Sequence, residues 1–178
     1  EDTSAFAKAQ TTKKISIGFY NLENLFDTTN DPHILDDDFT PEGIKEWNTY
    51  KYEKKLHKLS QVIARIGQKE TKQFPSLLGV AEVENEDVLK ALLATEALSN
   101  EDYGIVHYDS PDERGIDVAL LYHKADFEVL ESKPIVLQLE AREGGRDYTR
   151  DILYVKGLLL GTEIHIFINH WPSRRKGA

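Results

Sequence analysis

The spacing of hydrophobic residues predicts two helices in the first part of the chain. From Tyr50 to Ile66 apolar side chains recur every three or four positions, and lysines and glutamates fill the positions between them. This spacing forms one apolar stripe on a helix, which Gly67 is expected to end. Asn85 can cap a second helix over Glu86–Leu98.

Apolar runs of strand type surround these helices. Lys13–Tyr20 alternates apolar and polar residues, whereas Ser76–Val83 is continuously apolar, as in a strand buried on both faces. The other predicted strands are Gly104–Tyr108, Ile116–Tyr122, Phe127–Leu130, Ile135–Leu139, Asp151–Leu160 and Glu163–Asn169. Thr28–Thr49 is predicted as a loop, and Gly144-Gly145 and Gly161-Thr162 as hairpin turns. The order β-α-β-α followed by strands predicts an α/β (α+β) fold.

Composition narrows the possible chemistry. The 178 residues include no cysteine, which excludes disulfides, thiolate metal sites and a cysteine nucleophile. No apolar run approaches the roughly 20 residues that span a bilayer, so no transmembrane segment is predicted. The formal net charge is −9, so a polyanionic substrate would need a local basic patch or bound cations.

The start of the chain favours export. The sequence begins at Glu1 and contains no methionine, and residues 1–12 are polar and alanine-rich without periodicity. Such a stretch is typical of a disordered tail left after a signal peptide is removed. We therefore expect a periplasmic, secreted or cell-surface protein, with a cytoplasmic location as the alternative.

Polar residues follow three of the predicted strands. Asn21 and Glu23 follow the first, Glu82 closes the second, and His170 follows the last. Carboxylate and amide oxygens are the ligands that Mg²⁺ prefers, and α/β folds place ligands at strand ends. As alternatives, Asn21 could turn the chain and His170 could be structural. Glu84 is predicted to be solvated.

Four segments in order resemble the endonuclease/exonuclease/phosphatase superfamily. They are Asn-x-Glu after the first strand, Ala-Glu-Val-Glu-Asn at the second, Arg-Gly-Ile-Asp-Val-Ala-Leu-Leu-Tyr, and Asn-His-Trp-Pro-Ser-Arg after the last strand. The resemblance implies that residues 13–178 are the N-terminal part of such a domain. It also implies half of a four-layer αββα sandwich, with a mixed, mainly antiparallel sheet and helices on one face.

The resemblance also implies roles for individual residues. Glu82 matches the main ligand of Mg²⁺ (or Mn²⁺), and Glu23 takes the place of an acidic residue that assists the metal in some members. Asn21 matches an asparagine that orients the phosphate or the metal-bound water, and it is a further candidate metal ligand. Of the other candidate catalytic residues, Arg150 and His170 resemble groups that contact the substrate phosphate. The last candidate is Arg114, a second phosphate contact.

These roles imply in-line attack of water on a phosphoester. The leading hypothesis is an endonuclease that cleaves nucleic acid, because Arg174, Arg175 and Lys176 add positive charge beside the histidine. One alternative is a phosphatase or phospholipid phosphodiesterase of the same superfamily, which the acidic balance favours. The other is a binding module without catalysis.

The family pattern continues beyond the histidine motif. Members carry an Asp-x-Asn motif and a later Asp-His pair that includes the general base, and this sequence contains neither after His170. The chain alone is therefore predicted to hydrolyse phosphoesters poorly. One face of its sheet is predicted to be apolar and uncovered, so that a missing C-terminal half or a second copy would cover it.

Overall fold

The computed structural model describes residues 13–140 and 144–171 of the chain. The predicted tail over residues 1–12 and the basic residues after Trp171 lie outside the described residues. The helices are α1 (Thr49–Ile63), α2 (Gln68–Thr71) and α3 (Glu86–Leu93). The strands are β1 (Ile17–Leu25), β2 (Leu77–Val83), β3 (Tyr103–His107), β4 (Asp117–His123), β5 (Phe127–Ile135), β6 (Leu139–Glu140), β7 (Arg146–Asp147), β8 (Ile152–Leu159) and β9 (Thr162–Ile168).

A four-stranded sheet in the order β1-β2-β4-β3 forms the centre of the fold. Strands β1 and β2 are parallel, and β4 is antiparallel to both of its neighbours. The helices α1 and α3 pack on one face, where Leu59, Ile63 and Leu89 share a buried cluster with Leu78 and Val80 of β2. The apolar stripe that predicted α1 is therefore the stripe that the sheet buries.

A second sheet in the order β5-β8-β9 packs on the other face of the first. Its residues Phe127, Val155 and Ile168 share a second buried cluster with Leu77 and Leu120. The predicted fold class, mainly antiparallel with helices on one face, is confirmed. The expectation that one face of the first sheet is uncovered needs correction, because strands β5, β8 and β9 of the chain itself cover part of that face.

An apolar groove remains where the edge strands β1 and β9 lie. Ile17, Phe19 and Phe167 are each more than half exposed there. They line a cavity of about 380 Å³ together with residues of β2 and β4. The prediction that a C-terminal half or a second copy covers this surface stays a prediction.

Several predicted boundaries are wrong. The helix α1 ends at Ile63 rather than Ile66, and the short α2 follows Gly67. The predicted break after Leu130 is absent, since β5 continues through Pro134 to Ile135, and its register with β8 shifts between Val129 and Glu131. The turn between β8 and β9 consists of Leu160 and Gly161, both at positive φ, instead of Gly161-Thr162.

Two further features concern the connections. The predicted loop from Thr28 contains a 3-10 turn over Asp37–Phe39, whose Phe39 ring stacks on Phe26 at 4.4 Å between centroids. Gly144 and Gly145 precede β7, which pairs with β6, as the predicted hairpin requires. In the described part of the chain no helix is both long and apolar enough to cross a membrane.

Gly157 of β8 provides a test of the packing between β5 and β8. A Cβ atom at this position would overlap the Phe127 ring and the carbonyl oxygen of Glu128. We expect Gly157→Ala to lower the free energy of unfolding by about 1–3 kcal/mol in urea denaturation, because backbone and ring must shift. The control is Gly161→Asn, since the Cβ there meets nothing within 4 Å and asparagine tolerates positive φ. Equal effects of the two substitutions would contradict the packing argument.

Candidate active site

The parallel pairing of β1 and β2 brings two of the predicted site residues, Asn21 and Glu82, to one edge of the sheet. We call this edge the rim. Asn21 of β1 pairs with Ala81 of β2, the residue before Glu82. Asn21 and Glu23 lie inside β1, which runs to Leu25, and not after the strand as predicted. The carboxyl ends of parallel strands meet at one edge, so Asn21 and Glu82 lie at the same end of the sheet.

Irregular backbone at this rim sets the direction of the acidic side chains. Between Asn21 and Leu25 the pairing of β1 with β2 shifts register, and β2 bulges against β4 at Glu82. Glu23, Asn24 and Glu82 all have positive φ, at 55°, 58° and 60°. Such values cost free energy for residues with a Cβ, and they cluster at functional sites. The bulges leave Glu23 exposed and Glu82 partly exposed at the rim.

His170 reaches Glu82 from the second sheet. Two residues after β9 ends, its Nε2 lies 3.4 Å from Glu82 Oε1, and each side chain is 19 % exposed. Burial, and then the positive charge of Arg150, holds the pKa of His170 below its usual value, although Glu82 raises it. The imidazole is therefore neutral at pH 7. Among the described residues, its buried Nδ1 has no hydrogen-bond partner.

Arg150 holds the segment that carries His170. Its Nε donates to the carbonyl oxygen of His170 at 2.6 Å, and Nη2 donates to that of Trp171 at 3.0 Å. Nη1 donates to Asp112 Oδ2 at 2.9 Å, and both side chains of this ion pair are 5 % exposed. Among the described residues, three of the five guanidinium N–H groups thus have a partner. Contact of Arg150 with a substrate phosphate thus stays a prediction. Its bonds show that Arg150 positions the backbone of His170 and Trp171.

Asp112 is a residue that sequence reasoning missed. It lies in the loop between β3 and β4, and its Oδ1 accepts the backbone N–H of Arg114 at 3.0 Å. The Nε of Arg114 is 3.7 Å from the same oxygen, with the side chain about half exposed. The positive charge of Arg114 also helps to lower the pKa of His170. No sequence motif marked Asp112, because its function depends on Arg150, a distant residue in the chain.

Lys55 of α1 is a second residue that sequence reasoning missed. Its ammonium donates to the carbonyl oxygens of Glu23 and, at 3.0 Å, of Asn24, so it holds the bulge of β1. Burial lowers the pKa of Lys55, whereas the carboxylates of Glu23 and Glu82 raise it. The lysine was visible in the sequence only as part of the polar face of a helix.

The side-chain amide of Asn21 has its oxygen engaged in a hydrogen bond, and its NH₂ group has no assigned partner among the described residues. Its Oδ1 accepts the backbone N–H of Glu23 at 2.7 Å. The amide NH₂ can therefore donate to a phosphate oxygen, while the second lone pair of Oδ1 can still face a cation. Both predicted roles of Asn21 are compatible with this geometry, and the bond to Glu23 fixes the side chain at the rim.

Glu84 corrects the prediction of a solvated carboxylate. It is 8 % exposed, and its Oε2 accepts the backbone N–H of Asp27 at 2.6 Å. Burial raises the pKa of Glu84 to about 7. Glu84 thus ties the end of β1 to β2 behind the rim instead of facing water.

A histidine and two aspartates lie at the ends of β3 and β4. The ligand atoms of His107, Asp109 and Asp117 lie within 4.8 Å of one another. Asp117 is buried and accepts from the backbone N–H of Ser110 at 3.0 Å, and the Nε2 of His107 is 3.1 Å from its other oxygen. These bonds secure the loop that carries Asp112, which gives the group a structural explanation.

The donor set at the rim fits a hard divalent cation. Mg²⁺ usually binds one or two carboxylates and keeps positions for waters and substrate phosphate. Glu82, Glu23 and Asn21 offer oxygen donors, partly exposed, and contain no soft ligand. The neutral imidazole of His170 lies beside Glu82, where it can meet the phosphate rather than the cation.

A family model agrees with this arrangement. The model described as "Endonuclease/Exonuclease/phosphatase family" matches residues 16–178. A search of curated proteins finds no match.

Solved structures show a similar fold at low sequence identity. Humanized D. rerio TDP2 carrying 14 mutations is 14 % identical, with a TM-score of 0.52, 92 % of this chain covered and 50 % of the other. D. rerio TDP2 complexed with a single-strand DNA product is 16 % identical, with a TM-score of 0.49, 89 % and 46 % covered. A mannosyl-6-phosphatase of Bacteroides thetaiotaomicron is 19 % identical, with a TM-score of 0.45, 86 % and 50 % covered. The chain spans about half the length of these structures.

Proposed function

Because the chain belongs to the endonuclease/exonuclease/phosphatase family, we propose that it forms the metal-binding and phosphate-binding side of a Mg²⁺-dependent endonuclease. Members of the family are hydrolases that act on phosphoester bonds, generally with a divalent metal. The observation that carries the proposal is the rim geometry. The Glu82 carboxylate is held in a β-bulge at 3.4 Å from His170, which arrives from the other sheet.

The residues of the rim have different roles in binding the phosphate. Glu82, with Glu23 and Asn21, would hold Mg²⁺, and the bound cation would neutralise charge that develops on the phosphate oxygens. The neutral imidazole of His170 donates a hydrogen bond to a non-bridging oxygen, and the Asn21 amide donates a second. Arg150 fixes the main chain of His170, so the imidazole needs little reorganisation when substrate binds.

Nucleic acid is the substrate that the charge distribution favours. The net charge of −9 opposes a polyanion in general, yet lysines of α1 lie beside Glu23 at the rim. A small phosphoester would need fewer cations than this surface provides. The proposal therefore keeps the endonuclease hypothesis, with phosphodiester cleavage of a strand that passes the rim.

Metal binding by the chain itself can be tested without catalysis. With a dissociation constant near 1 mM, about 10 mM Mg²⁺ adds about 1.4 kcal/mol to the free energy of unfolding. For a domain of this size that corresponds to a rise in melting temperature of about 3–6 °C. We expect this rise by differential scanning fluorimetry for the wild type, with Mg²⁺ or Mn²⁺, and none for Glu82→Ala.

The matched control removes an exposed carboxylate far from the rim. Glu96→Ala lies in the turn after α3 and should keep the full response to the metal. If neither cation shifts the melting temperature of the wild type, the metal site fails and the binding-module hypothesis gains support. An equal shift for Glu82→Ala would place the ion elsewhere, for example at His107 and Asp117.

A further inference from the structure

One face of α1 concentrates positive charge on an acidic chain. Lys51, Lys54, Lys55 and Lys58 fall within an arc of roughly 100° at 3.6 residues per turn. We call these four residues the lysine face. The buried residues of the helix, including Leu56 and Ile63, lie on the opposite side. From the sequence these lysines could be predicted only as part of the polar side of an amphipathic helix.

The lysine face forms one wall of a groove beside the rim. The groove has a volume of about 400 Å³, and Tyr20, Trp47 and Glu23 line it together with the four lysines. Lys55 connects the groove to the bulge of β1 through its bonds to the carbonyl oxygens of Glu23 and Asn24. A ligand in the groove therefore lies beside Glu23 of the rim.

Within the lysine face, Lys51 and Lys55 donate to backbone carbonyl oxygens, so the most available charges are those of Lys54 and Lys58. Within the described ranges, Lys54 and Lys58 form no ion pair, and the carboxylate of Glu46 lies 4.0 Å from Lys51 on an exposed side chain. Lys54 instead lies over the exposed Tyr50 ring at 5.5 Å, and Lys55 lies 5.5 Å from the Trp47 ring. Lysines interleaved with aromatic rings are typical of surfaces that bind single-stranded nucleic acid.

The dimensions fit a short stretch of one strand. From Lys51 to Lys58 the helix rises about 10 Å, the length of roughly three nucleotides at 3.4 Å each. Resting on the proposed endonuclease function, we propose that the lysine face binds the sugar-phosphate backbone of a single nucleic-acid strand. The bound segment flanks the scissile phosphate and leads it past Glu23 to Glu82. Substrate class is thereby set by α1, outside the rim itself.

The test measures strand binding with hydrolysis switched off. A 5′-fluorescein-labelled dT₁₂ oligonucleotide is titrated with the full chain in EDTA, and fluorescence anisotropy is recorded over a range of salt concentrations. We expect Lys54→Ala/Lys58→Ala to weaken binding about tenfold or more at low salt. The slope of log K against log salt should fall by about 1.4, because two phosphate contacts are lost.

The matched control removes the same charge elsewhere. Lys14→Ala/Lys69→Ala changes two exposed lysines, one before β1 and one on α2, and should leave both the affinity and the salt slope close to wild type. Wild-type affinity and slope in Lys54→Ala/Lys58→Ala would overturn the proposal. Stronger binding of a 12-bp duplex than of the single strand would overturn it too, and so would binding of anionic phosphatidylserine vesicles in place of the oligonucleotide.

Failure of this inference is distinguishable from failure of the proposed function. Binding in EDTA does not depend on the metal, so Lys54→Ala/Lys58→Ala should bind dT₁₂ more weakly than the wild type while keeping the wild-type thermal response to Mg²⁺. If the thermal response is absent in the wild type but the lysine variants still bind dT₁₂ more weakly, the endonuclease proposal fails alone. The lysine face then stands as a strand-binding surface.

Discussion

Replacing Glu82 with alanine is expected to lower Mg²⁺-dependent nicking of supercoiled plasmid by at least about 100-fold. Loss of a residue that merely supports a metal ligand already costs 10–100-fold, and Glu82 is the main ligand of the proposed site. The β-bulge at Glu82 presents the carboxylate at the rim, and the next carboxylate along the chain, Glu84, cannot replace it, since it is buried and accepts the backbone N–H of Asp27. The assay compares a version that carries a complete family domain with the same version carrying Glu82→Ala.

The present chain serves as the third sample in this assay. We expect it to cut poorly, because it spans only about half the length of the similar solved structure. Robust metal-dependent turnover by the chain alone would contradict that expectation. If neither wild-type form nicks DNA, a lipid phosphodiester or a small phosphoester assayed in parallel tests the alternative substrates. Glu96→Ala again controls for the loss of one negative charge.

The positions of Asn21 and Glu82 could be predicted because both follow from local pattern. An apolar run fixes where β2 ends, and the polar residue at the end of a buried strand must face solvent or a ligand. Parallel pairing of neighbouring strands then brings Asn21 and Glu82 to one edge. The resemblance to the family added the histidine, which local pattern alone would have left as a structural residue.

The bulges at this edge could not be predicted. Strand pairing has a period of two residues, so a sequence pattern gives the faces of β1 but not a register shift between Asn21 and Leu25. For this reason Glu23 was placed after the strand instead of in it. The prediction that Glu84 is solvated was wrong for a related reason. The exposure of a charged residue at a strand end depends on what packs over it. Here the main chain at Asp27 covers it.

Contacts between distant segments were the other limit. The second sheet forms when β5, β8 and β9 fold back on the first, and no residue of β2 indicates in advance which segment will cover it. The turn at Leu160 and Gly161 shows the same limit at short range. A glycine marks the turn, yet pairing between β8 and β9 decides which neighbour joins it.

The ion pair of Arg150 with Asp112 is the clearest product of such long-range contacts, and breaking it should have the largest effect on stability. Arg150→Ala removes the buried arginine that neutralises the carboxylate of Asp112 and releases the carbonyl oxygens of His170 and Trp171. Removing one partner of a buried ion pair typically costs 3–5 kcal/mol. We expect a loss of about this size in urea denaturation, with a fall in melting temperature on the order of 10 °C.

Arg114→Ala is the control for this prediction, since its half-exposed guanidinium lies 3.7 Å from the same carboxylate. Its expected cost is below about 1 kcal/mol, because exposed pairs contribute little.

In the double variant Arg150→Met/Asp112→Leu the cost should be smaller than the sum of the two single losses, since no charge is then left buried. Equal losses for Arg150→Ala and Arg114→Ala would contradict the positioning role, whereas additive losses in the double variant would show that the two side chains act independently. A stable Arg150→Lys protein with weakened activity would separate the two roles of the arginine, because lysine keeps the charge but cannot donate to three partners in one plane.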